Sequence, residues 1–274
     1  MDKLIYMDNA ATTSTAPEVV SAMLPFFTEY YGNPSSVYNF AQKSKMAIED
    51  AREIIADSIG AAKSNEIYFT GGGSESDNWA LKSAAFGLRN KGNHIITTKI
   101  EHHAILNTCA YLEKNGFEIT YLDVDSEGFV SLEDVENAIT EKTILISVMF
   151  ANNEIGTIEP VCEIGEIAHK HGILFHTDAV QAMCHVPINV TEMNIDLLSA
   201  SAHKFHGPKG VGFMYMKNSA KLEPFIHGGA QERARRAGTS NVPGIVGMGQ
   251  AVKLALSTLD KDTHTIINMR NYIV

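Results

Sequence analysis

Residues 199–210, SASAHKFHGPKG, bring a hydroxyl, an imidazole and an amine within four positions of the chain. Ser201, His203 and Lys204 follow an apolar run that predicts a strand, and the Gly-Pro pair at 207–208 predicts a turn directly afterwards. A lysine at such a strand end can form a Schiff base with a carbonyl compound if burial beside another cation lowers the pKa of its amine. Taken alone, a lysine after a strand is most often a solvated surface residue.

An acidic residue ends a second apolar run upstream. In ILFHTDAVQA, residues 173–182, Asp178 closes the predicted strand and Gln181 stands three positions later. A buried carboxylate at this point needs a cationic partner, and the protonated ring nitrogen of a cofactor is one such partner. For this motif alone, an aspartate that caps the N-terminus of a following helix is at least as good an interpretation.

A third segment, FTGGGSESDNWALKSA at residues 69–84, joins a predicted strand to a predicted helix through three glycines. Glycine lets the backbone approach an anion closely, and the free N–H groups at a helix N-terminus favour negative charge. Gly73 and Ser74 are therefore candidates for a phosphate site. For an isolated GGGS motif, a plain turn with Ser74 as the helix cap is the more frequent interpretation.

These three segments can form one site only if the elements that carry them are neighbours. Short β-branched or apolar runs predict seven strands, at 67–70, 94–98, 118–123, 143–149, 173–177, 195–199 and 210–216. Apolar residues at helical spacing lie between most of them, at 79–88, 105–112, 135–139 and 164–169, and again at 246–259 and 265–274. This alternation predicts an α/β fold with a seven-stranded, mainly parallel sheet covered by helices on both faces. Such sheets bind ligands at the C-terminal ends of their strands.

Composition restricts the class of protein. The chain has 274 residues, 45% of them hydrophobic, and a net charge of −10, so we expect a packed core and no binding of nucleic acid. We predict no signal peptide, no membrane span and a cytoplasmic location. Three cysteines, Cys109, Cys162 and Cys184, lack the spacing of metal ligands, which predicts reduced structural thiols and no metal site.

Together, the three segments follow the chain order of fold-type I pyridoxal-phosphate enzymes. From about residue 5 to its end the chain resembles the bacterial cysteine desulfurases of the NifS/IscS type, in the class V aminotransferase family. The matching motifs are MDNAATT (7–13), GNPSS (32–36), GGGSESDN (71–78), TKIEHHAI (98–105), NNEIGT (152–157), HTDAVQ (176–181), SAHKFHGPKG (201–210), HGG (227–229) and RRAGT (235–239).

The resemblance implies pyridoxal 5'-phosphate as the cofactor and a role for each matching residue around its ring. Lys204 would hold the cofactor as a Schiff base, Asp178 would pair with the pyridinium nitrogen, and His102 would stack on the ring. Gln181 and Asn153 would contact the ring oxygen and nearby substrate groups. Without the resemblance, His102 at the start of a predicted helix is more simply a cap or an exposed residue.

The phosphate group has its own set of residues by the same resemblance. The backbone of Gly73 and Ser74 would hold it together with Ser201 and His203. Thr239 would reach the phosphate of a neighbouring subunit, which implies a homodimer.

By resemblance, residues 1–15 would associate with a small C-terminal domain, residues 16–250 would form the cofactor-binding large domain, and residues 251–274 would begin the helix that leads to that small domain. In the family the small domain carries the cysteine that accepts sulfur and an arginine that binds the substrate carboxylate. We expect neither here, and we expect the chain alone to hold cofactor but to turn over poorly.

The implied function is conversion of L-cysteine to L-alanine, with the sulfur passed to an acceptor or scaffold protein for iron-sulfur cluster or thio-cofactor assembly. Two alternatives stay open. One is another class V enzyme, such as a selenocysteine lyase or an aminotransferase, because cofactor residues do not choose the substrate. The other is a non-catalytic module for dimerisation or scaffold binding, which the missing nucleophile would explain.

Overall fold

The computed structural model describes residues 5–220 and 222–273. In this part of the chain seven strands form one sheet: β1 (Ile67–Thr70), β2 (His94–Thr98), β3 (Glu118–Leu122), β4 (Thr143–Ser147), β5 (Leu174–Asp178), β6 (Leu197–Ser201) and β7 (Gly212–Met216). The strand order is β1-β7-β6-β5-β4-β2-β3. Only β7 runs antiparallel to its neighbours, β1 and β6, while the other described pairs are parallel. The predicted seven-stranded, mainly parallel α/β fold is confirmed.

Helices connect and cover the strands. They are α1 (Pro17–Met23), α2 (Pro25–Thr28), α3 (Asn39–Ser58), α4 (Gly73–Gly87), α5 (His103–Glu113), α6 (Leu132–Asn137), α7 (Val161–Lys170), the short turn α8 (Gln231–Ala234) and α9 (Val242–Ile273). The two separate helices predicted for 246–259 and 265–274 were wrong as separate elements. They form one helix, α9, because no proline or glycine interrupts residues 250–273. Residue 274 lies outside the described part.

Alternate residues of each strand pack on opposite faces of the sheet. In β7, Phe213 and Tyr215 belong to a hydrophobic core shared with α3, α7 and α9, whereas Met214 and Met216 belong to a second core shared with α4 and α5. Because both faces of the sheet are buried, apolar residues occupy consecutive strand positions, and the strands appear in the sequence as nearly continuous apolar runs. The helices on each face fix the sheet edges at which the loops converge.

The predicted strand ends were less accurate than the strand positions. The fourth and sixth strands run over 143–147 and 197–201, where 143–149 and 195–199 were predicted. Val148 and Met149 are as apolar and as buried as the strand before them, yet they belong to the loop that leaves the sheet edge. Burial of a loop against the site therefore gives the same sequence pattern as burial of a strand.

Helix α9 is long and apolar enough to cross a membrane by length and composition alone. However, 44% of its most apolar window is buried within the fold, where α9 packs against α3 and α1. Helices in the core of soluble proteins meet the same criteria of length and composition, so the absence of a membrane span stays a prediction.

The turn α8 carries an unusual backbone. Glu232, Arg233 and Ala234 have φ angles of 44°, 56° and 59°, a left-handed conformation that costs energy for residues with a Cβ atom. A buried ion pair holds it: the Arg52 guanidinium donates to both carboxylate oxygens of Glu232, at 2.8 and 3.0 Å. The Phe69 N–H of β1 also donates to Glu232, at 3.1 Å. The loop before α9 is therefore anchored to the sheet.

We expect Glu232→Ala to lower the free energy of unfolding by about 3 kcal/mol, because it removes the two-oxygen partner of the buried Arg52 charge and leaves Arg52 only the half-exposed Glu49 carboxylate at 3.2 Å and the Ile67 carbonyl at 2.7 Å. The matched control is Glu118→Ala, which breaks the exposed pair between Glu118 and Lys142 and should cost under about 1 kcal/mol. Denaturant unfolding of both variants measures the difference. Equal costs for the two variants would contradict the proposed anchoring.

Candidate active site

A cavity of about 540 Å³ opens at the C-terminal edge of the sheet. Parallel strands place their C-terminal ends at one edge, so the loops after β1, β2, β4, β5 and β6 all reach this cavity. Nine of the ten predicted site residues line it, namely Gly73, Ser74, His102, Asn153, Asp178, Gln181, Ser201, His203 and Lys204. Residues more than 100 positions apart in the chain are therefore brought together by the sheet.

Lys204 ends a single 3₁₀ turn that follows β6 and points its amine into the cavity. The amine donates to the carbonyl oxygens of Ala10 and of Ala11, the latter at 3.1 Å. Burial lowers the pKa of the Lys204 amine, as expected for a lysine that forms a Schiff base. The expected neighbouring cation is not the cause, since the charges that act on the amine are those of Asp178, Asp8 and Glu154, and they oppose the shift.

The N-terminal segment at residues 8–16 covers the lysine turn. The Thr13 N–H donates to the His203 carbonyl at 2.9 Å, and the Gln181 side-chain amide donates to the Ala10 carbonyl at 2.9 Å. These bonds place the motif at 7–13 directly over Lys204. The resemblance associates residues 1–15 with the small C-terminal domain, and residues 1–4 of that range lie outside the described part.

Asp178 is the last residue of β5 and is buried. Its Oδ1 accepts the Val180 N–H at 2.9 Å, which closes a turn. No helix is described between residues 179 and 196, so the alternative of a helix-capping aspartate was wrong. Burial raises the pKa of the Asp178 carboxyl, while the Val180 N–H and the charges of His102 and Lys204 oppose that shift.

His102 combines both of the roles considered for it. It is the N-cap of α5, where its Nδ1 accepts the Ala104 N–H at 3.1 Å. The ring also lines the cavity, and one of its nitrogens lies within 4.8 Å of a carboxylate oxygen of Asp178. The capping bond fixes the orientation of the imidazole beside Asp178.

A second cavity of about 500 Å³ adjoins the first and shares Gly73, Ser74, Ser201 and His203 with it. Helix α4 begins here, and its N-cap is Gly72 with no side-chain cap, so Ser74 is not the helix cap. The first N–H groups of a helix have no partner within the helix and attract an anion. An added Cβ at Gly73 would lie 2.5 Å from the Val180 side chain, which restricts this position to glycine. The cradle fits a phosphate group.

Thr239 is the predicted site residue that the structure does not bring to the Lys204 cavity. It lines a separate cavity of about 160 Å³, together with Gly71, Gly210 and Arg236. Arg236 pairs with both carboxylate oxygens of Glu75 in α4, at 2.7 and 3.1 Å. The sequence had not assigned a role to Arg236, and this pair ties the loop that carries Thr239 to the start of α4.

Comparisons with known proteins agree with this geometry. A family profile described as aminotransferase class-V matches residues 5–271. The chain is 60% identical over its whole length to the cysteine desulfurase IscS of Clostridium botulinum, of which it covers 69%. It is 59% identical to the cysteine desulfurase IscS of Methanosarcina thermophila, of which it covers 67%.

The chain belongs to the cysteine desulfurase family of class-V aminotransferases.

Solved structures of this family share the fold. A NifS-like protein superposes with a TM-score of 0.96 at 42% identity, and the match covers 98% of this chain and 74% of that one. The structure of SspA in complex with cysteine superposes with a TM-score of 0.89 at 45% identity, covering 97% and 78%. Cysteine desulfurases are pyridoxal-phosphate-dependent enzymes, which is the chemistry implied by the resemblance.

The three cysteines of this desulfurase chain lie outside the Lys204 cavity. Cys109 and Cys184 are buried, and burial raises the pKa of both thiols to about 12, which keeps them protonated. Cys162 is exposed on α7, and burial and nearby glutamates raise the pKa of its thiol. None of these cysteines has the position of a nucleophile toward substrate at Lys204.

Sequence reasoning missed two buried acids of the site, Asp77 and Glu101. The available signal for Asp77 was its spacing, since it shares the buried face of α4 with apolar residues such as Ala80 and Leu81. Glu101 stands beside His102 and accepts the Thr98 hydroxyl at 2.9 Å and the Met149 N–H at 2.8 Å. Its other carboxylate oxygen is buried without a described partner.

Glu101 should make the stability of the protein depend on pH. Burial raises the pKa of its carboxyl from 4.5 to about 8, so between these values the folded state keeps a proton that the unfolded state has lost. The free energy of unfolding should therefore fall as pH rises through this window, by at most about 1.4 kcal/mol per pH unit from this group. Glu101→Gln should reduce that slope in denaturant unfolding at several pH values. The control is Glu163→Gln on the exposed face of α7, and an unchanged slope in Glu101→Gln would contradict the assignment.

Proposed function

We propose that this chain binds pyridoxal 5'-phosphate in the Lys204 cavity and acts in the desulfuration of L-cysteine. The observation that carries the proposal is the convergence of three groups on one cavity: the Lys204 amine, the buried Asp178 carboxyl and the N-terminus of α4 at Gly73. They match the aldehyde, the ring nitrogen and the phosphate of this cofactor. Membership of the cysteine desulfurase family supports the same assignment.

Each side of the cavity would hold one part of the cofactor. Lys204 would bind it covalently, Asp178 would keep a proton on the ring nitrogen, and His102 would pack on the ring. Gln181 and Asn153 would provide amides for the ring oxygen and for substrate. The phosphate would be held by the N–H groups of Gly73 and Ser74, by Ser201 and by His203, which stays close to the cradle through its bond to the Thr12 hydroxyl at 3.0 Å.

The bound cofactor supplies an electron sink for a negative charge at the substrate α-carbon. Lys204, once its amine is free, takes the proton from that carbon, a step for which its lowered pKa is suited. A thiolate that is not among Cys109, Cys162 and Cys184 would then attack the substrate sulfur. The bond between that sulfur and the β-carbon would break, the β-carbon and the α-carbon would each take up a proton, and the products would be L-alanine and a persulfide. An acceptor or scaffold protein would receive that sulfur for iron-sulfur cluster or thio-cofactor assembly.

L-cysteine is the proposed substrate because the relatives are cysteine desulfurases and because SspA is described in complex with cysteine. The free thiols of the chain agree with the proposed cytoplasmic location. A selenocysteine lyase would use the same cofactor residues, so the two substrates have to be compared directly in the presence of a thiol acceptor. Preference for selenocysteine would contradict the proposed substrate.

Reconstitution tests the cofactor assignment. We expect the protein to gain the visible absorbance of lysine-bound pyridoxal phosphate. We expect Lys204→Ala to lose that absorbance, because Lys204 is the one lysine among the described residues that line this cavity. The matched control is Lys142→Ala, which removes an exposed lysine that does not line the cavity and should retain the full absorbance. A protein that stays colourless with excess cofactor would disprove the proposal.

We further propose a homodimer in which Thr239 contacts the phosphate bound by the partner chain. The position of Thr239 outside the Lys204 cavity of its own chain supports this arrangement. Residues 24–46 also expose seven large apolar side chains, which would be costly to leave in water and which a second copy could cover. They are Leu24, Phe27, Tyr31, Val37, Tyr38, Phe40 and Met46.

Mixing two variants tests this contact. Thr239→Ala should bind cofactor about tenfold more weakly, which corresponds to one lost hydrogen bond to a charged group. Adding Lys204→Ala chains in excess should restore tight binding to the Lys204 of the first variant, because each mixed dimer then contains one complete site. Chains with both substitutions are the control and should not restore it. Failure of the Lys204→Ala chains to restore binding would contradict a contact between chains.

A further inference from the structure

The buried carboxyl of Asp77 is not used by the proposed mechanism. Asp77 lies in the first turns of α4, is only 1% exposed, and borders the Lys204 cavity. Its Oδ1 is buried and has no hydrogen-bond partner among the described residues. An unpartnered oxygen at this depth is costly, so its presence beside a ligand cavity calls for a physical explanation.

Among the described residues, the charges that act on the Asp77 carboxyl are those of two other acids, Asp178 and Glu101. A carboxylate oxygen of Asp77, a carboxylate oxygen of Asp178 and a nitrogen of His102 all lie within 4.8 Å of one another. The His176 Nε2 lies 3.8 Å from the Asp77 Oδ1, but its ring contacts the hydroxyls of Ser147 and Ser199 at 2.9 and 3.0 Å. Burial lowers the pKa of His176 to about 3, so this imidazole is neutral.

Two carboxyls this close in a buried site cannot both be ionised at moderate cost. Burial raises the pKa of both. The pKa of Asp77 is raised well above its ordinary value, because burial and the charges of Asp178 and Glu101 outweigh the opposing hydrogen bond from Ser199. Asp178 has three features that favour its ionised form: the Val180 N–H and the charges of His102 and Lys204. When the two carboxyls hold one proton between them, that proton therefore belongs on Asp77.

We propose that Asp77 is a positioning residue of the cofactor site, which holds one proton beside Asp178 so that the pair presents a single negative charge to the cofactor's ring nitrogen. This inference rests on the proposed function. One negative charge matches the one positive charge of a protonated ring nitrogen, whereas two would leave a buried charge without a partner. The groups that face this pair are Glu101, His102, His176 and Lys204.

Titration of the reconstituted protein with pyridoxal phosphate tests the charge state. Asp77→Asn keeps shape and a proton donor without a charge, so its cofactor affinity should stay within about threefold of the parent. Asp77→Leu has no proton donor at this position, so its affinity for the cofactor should fall about tenfold, which corresponds to one charge-assisted contact. Asp178→Asn removes the proposed charge and should lose about 100-fold or more. A 100-fold loss in Asp77→Asn, or no loss in Asp77→Leu, would overturn the inference.

A measurement on the cofactor-free protein separates this inference from the proposed function. Infrared spectra of protein labelled with carbon-13 at the aspartate side-chain carboxyl should show a labelled carboxylic acid at neutral pH, which Asp77→Asn removes. The label excludes the acid of Glu101. Absence of the labelled acid signal from the parent would overturn the inference even if the substituted proteins do not fold. Failure of the parent to bind cofactor, with the acid signal present, would count against the proposed function alone.

Discussion

Burial of acidic groups at the C-terminal edge of the sheet is the constraint on which the site depends. Asp77, Glu101 and Asp178 are each at most 5% exposed, and two of them, Asp77 and Asp178, line the Lys204 cavity, while the charge of Glu101 interacts with both. Carboxylates are stable at such depth only where a cation or hydrogen bonds offset the loss of water. The fold provides a few backbone N–H donors and the amine of Lys204. A ligand with a cationic ring atom and an anionic end complements this arrangement, because the anion cradle at Gly73 adjoins the cavity lined by Asp77, Asp178 and the Lys204 amine.

Strand pairing brings the charged groups of the site together. The strand ends that carry Asp178 and Ser201 are neighbours because β5 and β6 pair in parallel register, Asp178 opposite Ser199. The anion cradle joins them because β1 also ends at this edge, two strands away through β7. The packing of α4 across one face then aligns its N-terminus with the cavity, and Gly73 lets the helix approach Val180 without a clash.

Much of this could be predicted from the sequence for a physical reason. Strand positions follow from apolar runs. Three site residues, Asp178, Lys204 and Gly73, were found because they lie at the end of such a run or within three residues after it. Strand ends could not be predicted as well, because buried loop residues such as Met149 are as apolar as strand residues. Asp77 was missed because the sequence shows only one acid among the apolar residues of the buried face of α4. Its nearness to Asp178 and His102, residues far away in the chain, is visible only in the folded protein.

The family, the seven strands and the residue types available for binding a cofactor could be predicted without a structure, because they depend on local pattern and on motifs. Which groups meet, and what charge each carries, follows from the packing of the folded chain. The pKa of Lys204 depends on burial under residues 8–16, and the proton proposed for Asp77 depends on its distance from Asp178. Thr239, which the resemblance assigns to the phosphate of a partner chain, lies outside the Lys204 cavity of its own chain. Distance and desolvation act between residues far apart in the chain, and both are set by how the chain packs.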